Sequence, residues 1–166
     1  MKVRWTLAAL ALVLLGAAAT WATLARRVPA PEVSYTLLDG QRGSLSALRG
    51  HVVLVNFWST SCAVCVAEMP QVVALHARHR AAGLATLAVA MPYDPPALVA
   101  RYAQAQRLPF GVVIDLDGAV LRGFGDVPGT PAFIVLDKRG RIAQRVLGAP
   151  DFAALDALIR RLQAEV

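Results

Sequence analysis

The sequence predicts an α/β fold in which a mixed β-sheet is sandwiched by helices. Three observations carry this. His51 to Phe57 (HVVLVNF) is almost continuously apolar, the pattern of a central strand buried on both faces. Strand and helix patterns alternate after it, from about residue 62 to residue 114. Near the C-terminus two strand patterns flank Asp137-Lys138-Arg139-Gly140, which reads as a hairpin turn. Alternation early and a hairpin late imply parallel and antiparallel strands in one sheet.

The elements follow in order. Val33 to Leu37 alternates like a strand and Asp39-Gly40 supplies a turn, so a short N-terminal β-hairpin precedes the main sheet. Residues 44–50 form a connector ending at Gly50. After the His51–Phe57 strand, whose one polar interior member is Asn56, a helix is expected from about Cys62 to Arg80. Met69, Val72, Val73 and His76 recur there at helical spacing, and Pro70 inside it predicts a kink. Leu84 to Ala90 is the next strand. Asp94-Pro95-Pro96 opens a helix, with Asp94 as the N-cap and Pro95 at the first position. Leu98, Val99, Tyr102 and Ala103 form its apolar face. Phe110 to Ile114 is a strand followed by the Asp117-Gly118 turn. Ala132–Leu136 and Ile142–Val146 are the hairpin strands, and a last helix starts near Asp151 with Phe152, Leu155, Ile159 and Leu162 on one stripe.

The chain divides into three parts. Residues 1–25 read as a transmembrane anchor: positions 5–25 are uncharged and mostly apolar, with Lys2 and Arg4 before them and Arg26 and Arg27 after. About 20 apolar residues suffice to cross a bilayer as a helix. An uncleaved signal anchor is favoured by that length, whereas Ala17-Ala18-Ala19 offers a small-residue site for cleavage of a signal peptide. The amino terminus adds positive charge to the N-terminal flank, which keeps that end cytoplasmic and places the body outside, where disulfides persist. Residues 26–33 read as an extended linker, because Pro29 and Pro31 block helix continuation. Residues 34–166 are one domain of ordinary size. The net charge of +6 becomes +4 once the two cations Lys2 and Arg4 are set aside. The remaining basic residues form no stripe interleaved with aromatics, so nucleic acid is not an expected partner. A mildly basic face near an anionic leaflet accounts for them.

The chemistry centres on Cys62 and Cys65, the only two cysteines, separated by Ala63-Val64. They fall where a strand gives way to a helix. Unpaired N–H groups and the helix dipole at that N-terminus favour the thiolate, the reactive form of cysteine. A bridge across two residues closes a tiny loop and adds little loop entropy, so a purely structural disulfide is a weak reading. A zinc site needs about four ligands and the pair supplies two. His76 lies eleven residues beyond Cys65 on the same helix, roughly 16 Å away at 1.5 Å per residue, and His79 lies further still. Neither converges on the thiols. His79, with Arg78 and Arg80, is expected to complement the helix C-terminus, and His51 begins a strand. No metal or cofactor is therefore expected, and the pair reads as redox-active.

The segment Val55-Asn56-Phe57-Trp58-Ser59-Thr60-Ser61-Cys62-Ala63-Val64-Cys65-Val66-Ala67-Glu68-Met69-Pro70 resembles the active-site segment of thioredoxin-fold proteins. It is most similar to the TlpA/ResA/CcmG group of membrane-anchored extracytoplasmic thiol:disulfide oxidoreductases. The resemblance covers nearly all of residues 33–166. It includes Leu45-Ser46-Ala47-Leu48-Arg49-Gly50 before the first central strand and Gly129-Thr130-Pro131-Ala132-Phe133-Ile134-Val135-Leu136-Asp137, which looks like the segment carrying the family's cis-proline. It implies a thioredoxin-like fold and a Cys62–Cys65 disulfide. Cys62 matches the exposed nucleophile and Cys65 the more buried resolving thiol. Pro131 matches the cis-proline, and Thr130 the residue whose backbone pairs with the substrate chain. Trp58 belongs with these substrate-binding positions as packing around the site rather than as chemistry. Asn56 stands where cytoplasmic thioredoxins carry a buried aspartate, as is usual in the TlpA/ResA group. Glu68, one turn beyond Cys65, matches a glutamate of ResA-like members. It is either a partly buried acid that exchanges protons with Cys65, or an exposed acid favoured by the helix dipole.

Three departures matter. Ala63-Val64 replaces a pair that often ends in proline, Ser61 stands where tryptophan is common, and Val66 and Ala67 are apolar where lysine is frequent. Cys62 thiolate is thus expected to rely on the helix N-terminus and on the hydroxyls of Thr60 and Ser61. The resemblance implies a monomeric reductase on the bacterial inner membrane, facing the periplasm. It would take electrons from a membrane thiol donor and pass them to protein disulfides, for example in cytochrome c or metalloprotein maturation. Two alternatives differ in class. A copper chaperone would use both thiolates, which suit Cu(I), but lacks a placed third ligand. A peroxiredoxin-like peroxidase is disfavoured because no proline precedes Cys62 in Ser59-Thr60-Ser61.

Overall fold

The computed structural model describes residues 27–125 and 127–165. The candidate membrane span at 5–25 lies outside them, and among the described residues no helix is long and apolar enough to cross a membrane. The elements are β1 (Ser34–Thr36), β2 (Arg42–Ser44), β3 (Val52–Trp58), α1 (Ala63–His79), β4 (Leu84–Ala90), α2 (Pro96–Ala105), β5 (Gly111–Ile114), α3 (Ala119–Gly123), β6 (Ala132–Leu136), β7 (Ile142–Leu147) and α4 (Phe152–Ala164). Strands β1 and β2 form the expected antiparallel hairpin. The main sheet has the order β5-β4-β3-β6-β7. β3, β4 and β5 are parallel, and β6 runs antiparallel to both β3 and β7. This is the mixed sheet the sequence predicts. The short α3 was not legible, since a five-residue helix shows no periodicity beyond its turn.

Alternation along the strands builds two cores. Val52, Leu54 and Trp58 of β3 face one side with α1 residues Met69, Val72 and Leu75, α2 residues Val99 and Ala103, and α4 residues Leu155, Ile159 and Leu162. Val53, Val55 and Phe57 face the other side with Val33, Leu45, Val120 and Phe124. All seven residues of β3 are buried, as its continuous apolar run requires. A Cβ on Gly123 would lie 2.3 Å from Val33 Cγ1, so this glycine lets the N-terminal segment lie directly on α3.

Several expectations change in three dimensions. Asp94 is not the N-cap of α2. Pro95 is the cap and Pro96 opens the helix, while the Asp94 carboxylate is buried and turned toward Thr60. Leu98 is exposed, so the buried face of α2 narrows to Val99 and Ala103 with Tyr102 at its margin. His79 is the last residue of α1, at the helix C-terminus as expected, but its side chain does not face solvent. It is buried between α1 and α4, with Nε2 2.8 Å from Asp156 Oδ1 and Nδ1 3.1 Å from Gln163 Oε1. His76 is buried as expected, facing Thr86 Oγ1 at 3.1 Å and the edge of Phe110.

Residues 27–33 are extended, as Pro29 and Pro31 suggest, but they are docked rather than free. Ala30 N donates to Gly140 O at 2.9 Å, Ile142 N donates to Val28 O at 2.8 Å, and Pro29 pairs with Arg141. Arg27 grips Glu165 with two hydrogen bonds of 2.6 and 2.7 Å and reaches Asp137 at 3.1 Å.

Two outcomes follow. Ile159 is fully buried in the larger core, so Ile159→Ala is expected to cost about 2–5 kcal/mol, read by urea denaturation of the full chain. The hydrogen bond from His79, and then that from Arg78, holds the Asp156 carboxyl below the usual range. A depressed carboxylate contributes stability above its unfolded value of about 3.9 and loses it as pH falls through the folded value. Asp156→Asn is therefore expected to be less stable than the native chain at pH 7, with the gap closing below about pH 4 in the same assay.

Candidate active site

Strand β3 ends at Trp58, and the next four residues turn the chain into α1. Cys62 is the N-cap: its Sγ accepts the Cys65 N–H at 3.2 Å, and its backbone is extended before the helix begins. The sulfur thus occupies the place of a capping oxygen, beside the unpaired N–H groups of the first turn. Cys62 is half-buried and Cys65 is 2 % exposed. The two are joined in a disulfide with Cα atoms 5.2 Å apart. Ala63 and Val64 between them face solvent, Val64 at 49 % exposure.

The turn that presents Cys62 is itself built from side chains. Asp94, only 2 % exposed in the loop after β4, accepts the Thr60 N–H at 2.6 Å and the Thr60 hydroxyl at 2.5 Å. The Ser59 and Ser61 hydroxyls pair at 2.8 Å, Ser61 N donates to Ser59 Oγ, and Cys62 N donates to Ser59 O. This corrects the expectation that the Thr60 hydroxyl serves the Cys62 sulfur. The Thr60 proton is committed to Asp94, and the Ser61 hydroxyl pairs with that of Ser59. The helix N-terminus is the contact the sulfur has. Asp94 was missed at this site because, in sequence, Asp before Pro-Pro reads as a cap, and nothing local connects it to a residue 34 positions earlier.

The Thr130–Pro131 bond is cis, as the resemblance implies. Phe57 pairs with Ala132 in the β3–β6 register, which puts Pro131 at the same end of the sheet as the Cys62 turn. Pro131 is buried and its carbonyl accepts the Gly148 N–H at 2.8 Å. Leu147, opposite Ala132, is 60 % exposed beside it. With the exposed Val64 it leaves apolar surface at this end of the sheet.

Among the described residues, three buried side-chain polar atoms make no hydrogen bond: Asn56 Oδ1, Trp58 Nε1 and Glu68 Oε2. Trp58 is fully buried and its ring lies 5.0 Å from that of Tyr102. It has no exposed surface to offer a substrate, and its contribution is packing under the site. Asn56 alternates with Leu54 and Trp58, so it faces the side of the sheet covered by α1. Glu68 is 8 % exposed on α1, and burial pushes its carboxyl above the ordinary glutamate range. Of its two readings, the buried acid is the one that matches its position. Among the described residues no group of three or more His, Cys, Asp or Glu side chains could hold a metal ion.

If Asp94 holds the Cys62 turn through Thr60, the two side chains act as one unit. Thr60→Val and Asp94→Asn are each expected to slow alkylation of reduced Cys62 about tenfold at pH 7, and the double variant to be no slower than either alone. Additive losses would show that they act separately.

The redoxin family model matches residues 26–159. The thiol-disulfide oxidoreductase ResA of Geobacillus kaustophilus is 34 % identical over 119 residues, covering 72 % of this chain and 67 % of that protein. A thioredoxin-type protein of Neisseria meningitidis, known from its solution structure, is 36 % identical with a TM-score of 0.76, covering 82 % of this chain and 91 % of that one. A thiol:disulfide interchange protein of Chlorobium tepidum is 26 % identical with a TM-score of 0.76, covering 84 % of this chain and 99 % of that one. The half-buried sulfur capping a helix, the buried second sulfur and the cis-proline at the same sheet end agree with these likenesses: the chain belongs to the redoxin family and is a thiol:disulfide oxidoreductase of the TlpA/ResA/CcmG kind.

Proposed function

We propose that the protein is a membrane-anchored, extracytoplasmic reductase of protein disulfides. The observation that carries the exchange chemistry is the asymmetry of the pair, with Cys62 reachable at the helix N-terminus and Cys65 sealed behind it. In the reduced chain, Cys62 thiolate attacks one sulfur of a partner disulfide. A Cys62–partner mixed disulfide forms and the partner's other sulfur leaves as a thiolate, which takes up a proton. Cys65 then loses its proton and attacks Cys62 Sγ. The Cys62–Cys65 disulfide closes and the second partner sulfur leaves, so two electrons have passed to the partner. Glu68, when ionised, is the acid–base group that takes the Cys65 proton, and burial tunes it toward that task. Thr130, next to the cis-proline, offers its backbone to the partner chain. Trp58 supports the turn from below. A membrane thiol donor returns the chain to the dithiol form.

The apolar segment 5–25 between basic flanks supports the anchor, and a redox-active cysteine pair suits a compartment where disulfides persist. The ResA and interchange-protein likenesses support protein disulfides as substrates. The exposed Val64 and Leu147 favour partner segments with apolar residues near the disulfide.

The test uses the full chain in detergent, pre-reduced, with a disulfide-bonded protein as substrate. Cys62→Ser is expected to abolish reduction, and Cys65→Ser to accumulate the mixed disulfide. Glu68→Gln is expected to slow the second step about tenfold or more and to flatten its pH dependence. An unchanged pH profile would remove the proton-transfer role. A reduction potential near roughly −270 mV supports a reductase and one near roughly −120 mV an oxidant. Absence of disulfide reduction at any poise would overturn the reading.

A further inference from the structure

The two ends of the sheet differ in charge. β3 and β4 begin at one end, and the β6–β7 turn closes there because Val53 pairs with Leu136. Gly50 N donates to Lys138 O at 2.8 Å and Val52 N to Gly83 O at 3.1 Å, so the loops before β3 and β4 and the hairpin turn meet as one surface. Arg49 and Arg80 are exposed on it, with Lys138 and Arg141 half-buried beside them. The carboxylates in these loops are already paired. Asp137 is taken up by Arg27 and Arg141, and Glu165 at the end of α4 by Arg27. The surface therefore carries net positive charge.

The opposite end holds Cys62 and Pro131, and its loops carry Asp94, Asp115, Asp117 and Asp151. Seven residues of β3 at about 3.3 Å each separate the two ends by roughly 20 Å. Arg27 is the first described residue after the apolar segment, and it is clamped to the basic end. The chain thus enters the domain at the pole furthest from the redox pair. An anionic bilayer surface attracts basic side chains within a Debye length of it, and this pole carries them.

We propose that the basic pole is a membrane-apposed surface that rests on anionic lipid headgroups. Arg27 fixes the anchor to it, and Cys62 is presented away from the bilayer. This rests on the reading of residues 5–25 as an anchor. It specifies the partner: a donor or substrate that exchanges with Cys62 must bring its sulfurs well clear of the headgroups, on an aqueous domain, rather than at the membrane surface.

The test places the full chain, as Cys65→Ser with a fluorophore on Cys62, in nanodiscs of phosphatidylcholine with or without 30 mole per cent phosphatidylglycerol. Energy transfer to acceptor-labelled headgroups is then measured. Low transfer is expected in anionic discs. It should rise at least twofold in neutral discs, and again at least twofold in anionic discs when Arg27→Gln or the triple change Arg49→Gln, Arg80→Gln and Lys138→Gln is added. Circular dichroism shows whether these variants remain folded. High transfer in anionic discs, or the same transfer in every folded variant and lipid, would overturn the proposal. Loss of the chain from neutral discs on a high-salt wash would overturn the anchor instead. The surface is then judged by sedimentation with vesicles of the same anionic composition, where absence of salt-sensitive binding, or equal binding to a nucleic-acid polyanion, would overturn it.

Discussion

The site depends on the junction at which β3 leaves the sheet and α1 begins. A central strand buried on both faces can move little without disturbing two cores, so its last residue is fixed in space. Four residues later the chain must have entered a helix whose own inner face is fixed by Met69, Val72 and Leu75. Between these constraints Cys62 can occupy only the cap, and there its sulfur meets the Cys65 N–H. The same geometry that satisfies an orphan donor of the helix holds the reactive atom at the surface, with the helix dipole behind it. Reactivity and capping are one arrangement.

Two supports converge on that junction from distant parts of the chain. Asp94 reaches back from the loop after β4 to hold Thr60, and the β3–β6 register brings Thr130–Pro131 alongside. Val64 and Leu147 are exposed at this end of the molecule, and Trp58 is buried. Val66 and Ala67 put no cation directly after the pair. The helix N-terminus is therefore the main favourable electrostatic contact for the thiolate, and the raised Glu68 carboxyl is the proton acceptor closest in sequence.

Arg49, Arg80, Lys138 and Arg141 stand around the other pole. Arg27 there converts a proline-bearing segment from a tether into an added edge on β7, because its guanidinium finds two carboxylates and its backbone finds an unpaired strand edge. A docked segment at one pole and a half-buried reactive sulfur at the other give the domain a direction.

Much of this was legible without coordinates. Patterns with a short period and a strong apolar contrast, such as His51–Phe57, the α1 stripe and the hairpin around Asp137-Lys138-Arg139-Gly140, were determined by the sequence itself, since they report local burial. The cysteine spacing after a strand and before a helix likewise determined the chemistry, and a cis-proline motif can be matched as a string. What only the tertiary structure decided is the set of polar partners. Asp94 reads as a helix cap until Thr60 is brought to it, and His79 reads only as a helix-end residue until α4 packs over it with Asp156. Residues 27–33 read as a linker until Glu165 and Asp137 meet Arg27. A carboxylate or imidazole goes to whichever donor or acceptor the fold delivers within hydrogen-bond distance, and that depends on residues 34, 77 and 138 positions away.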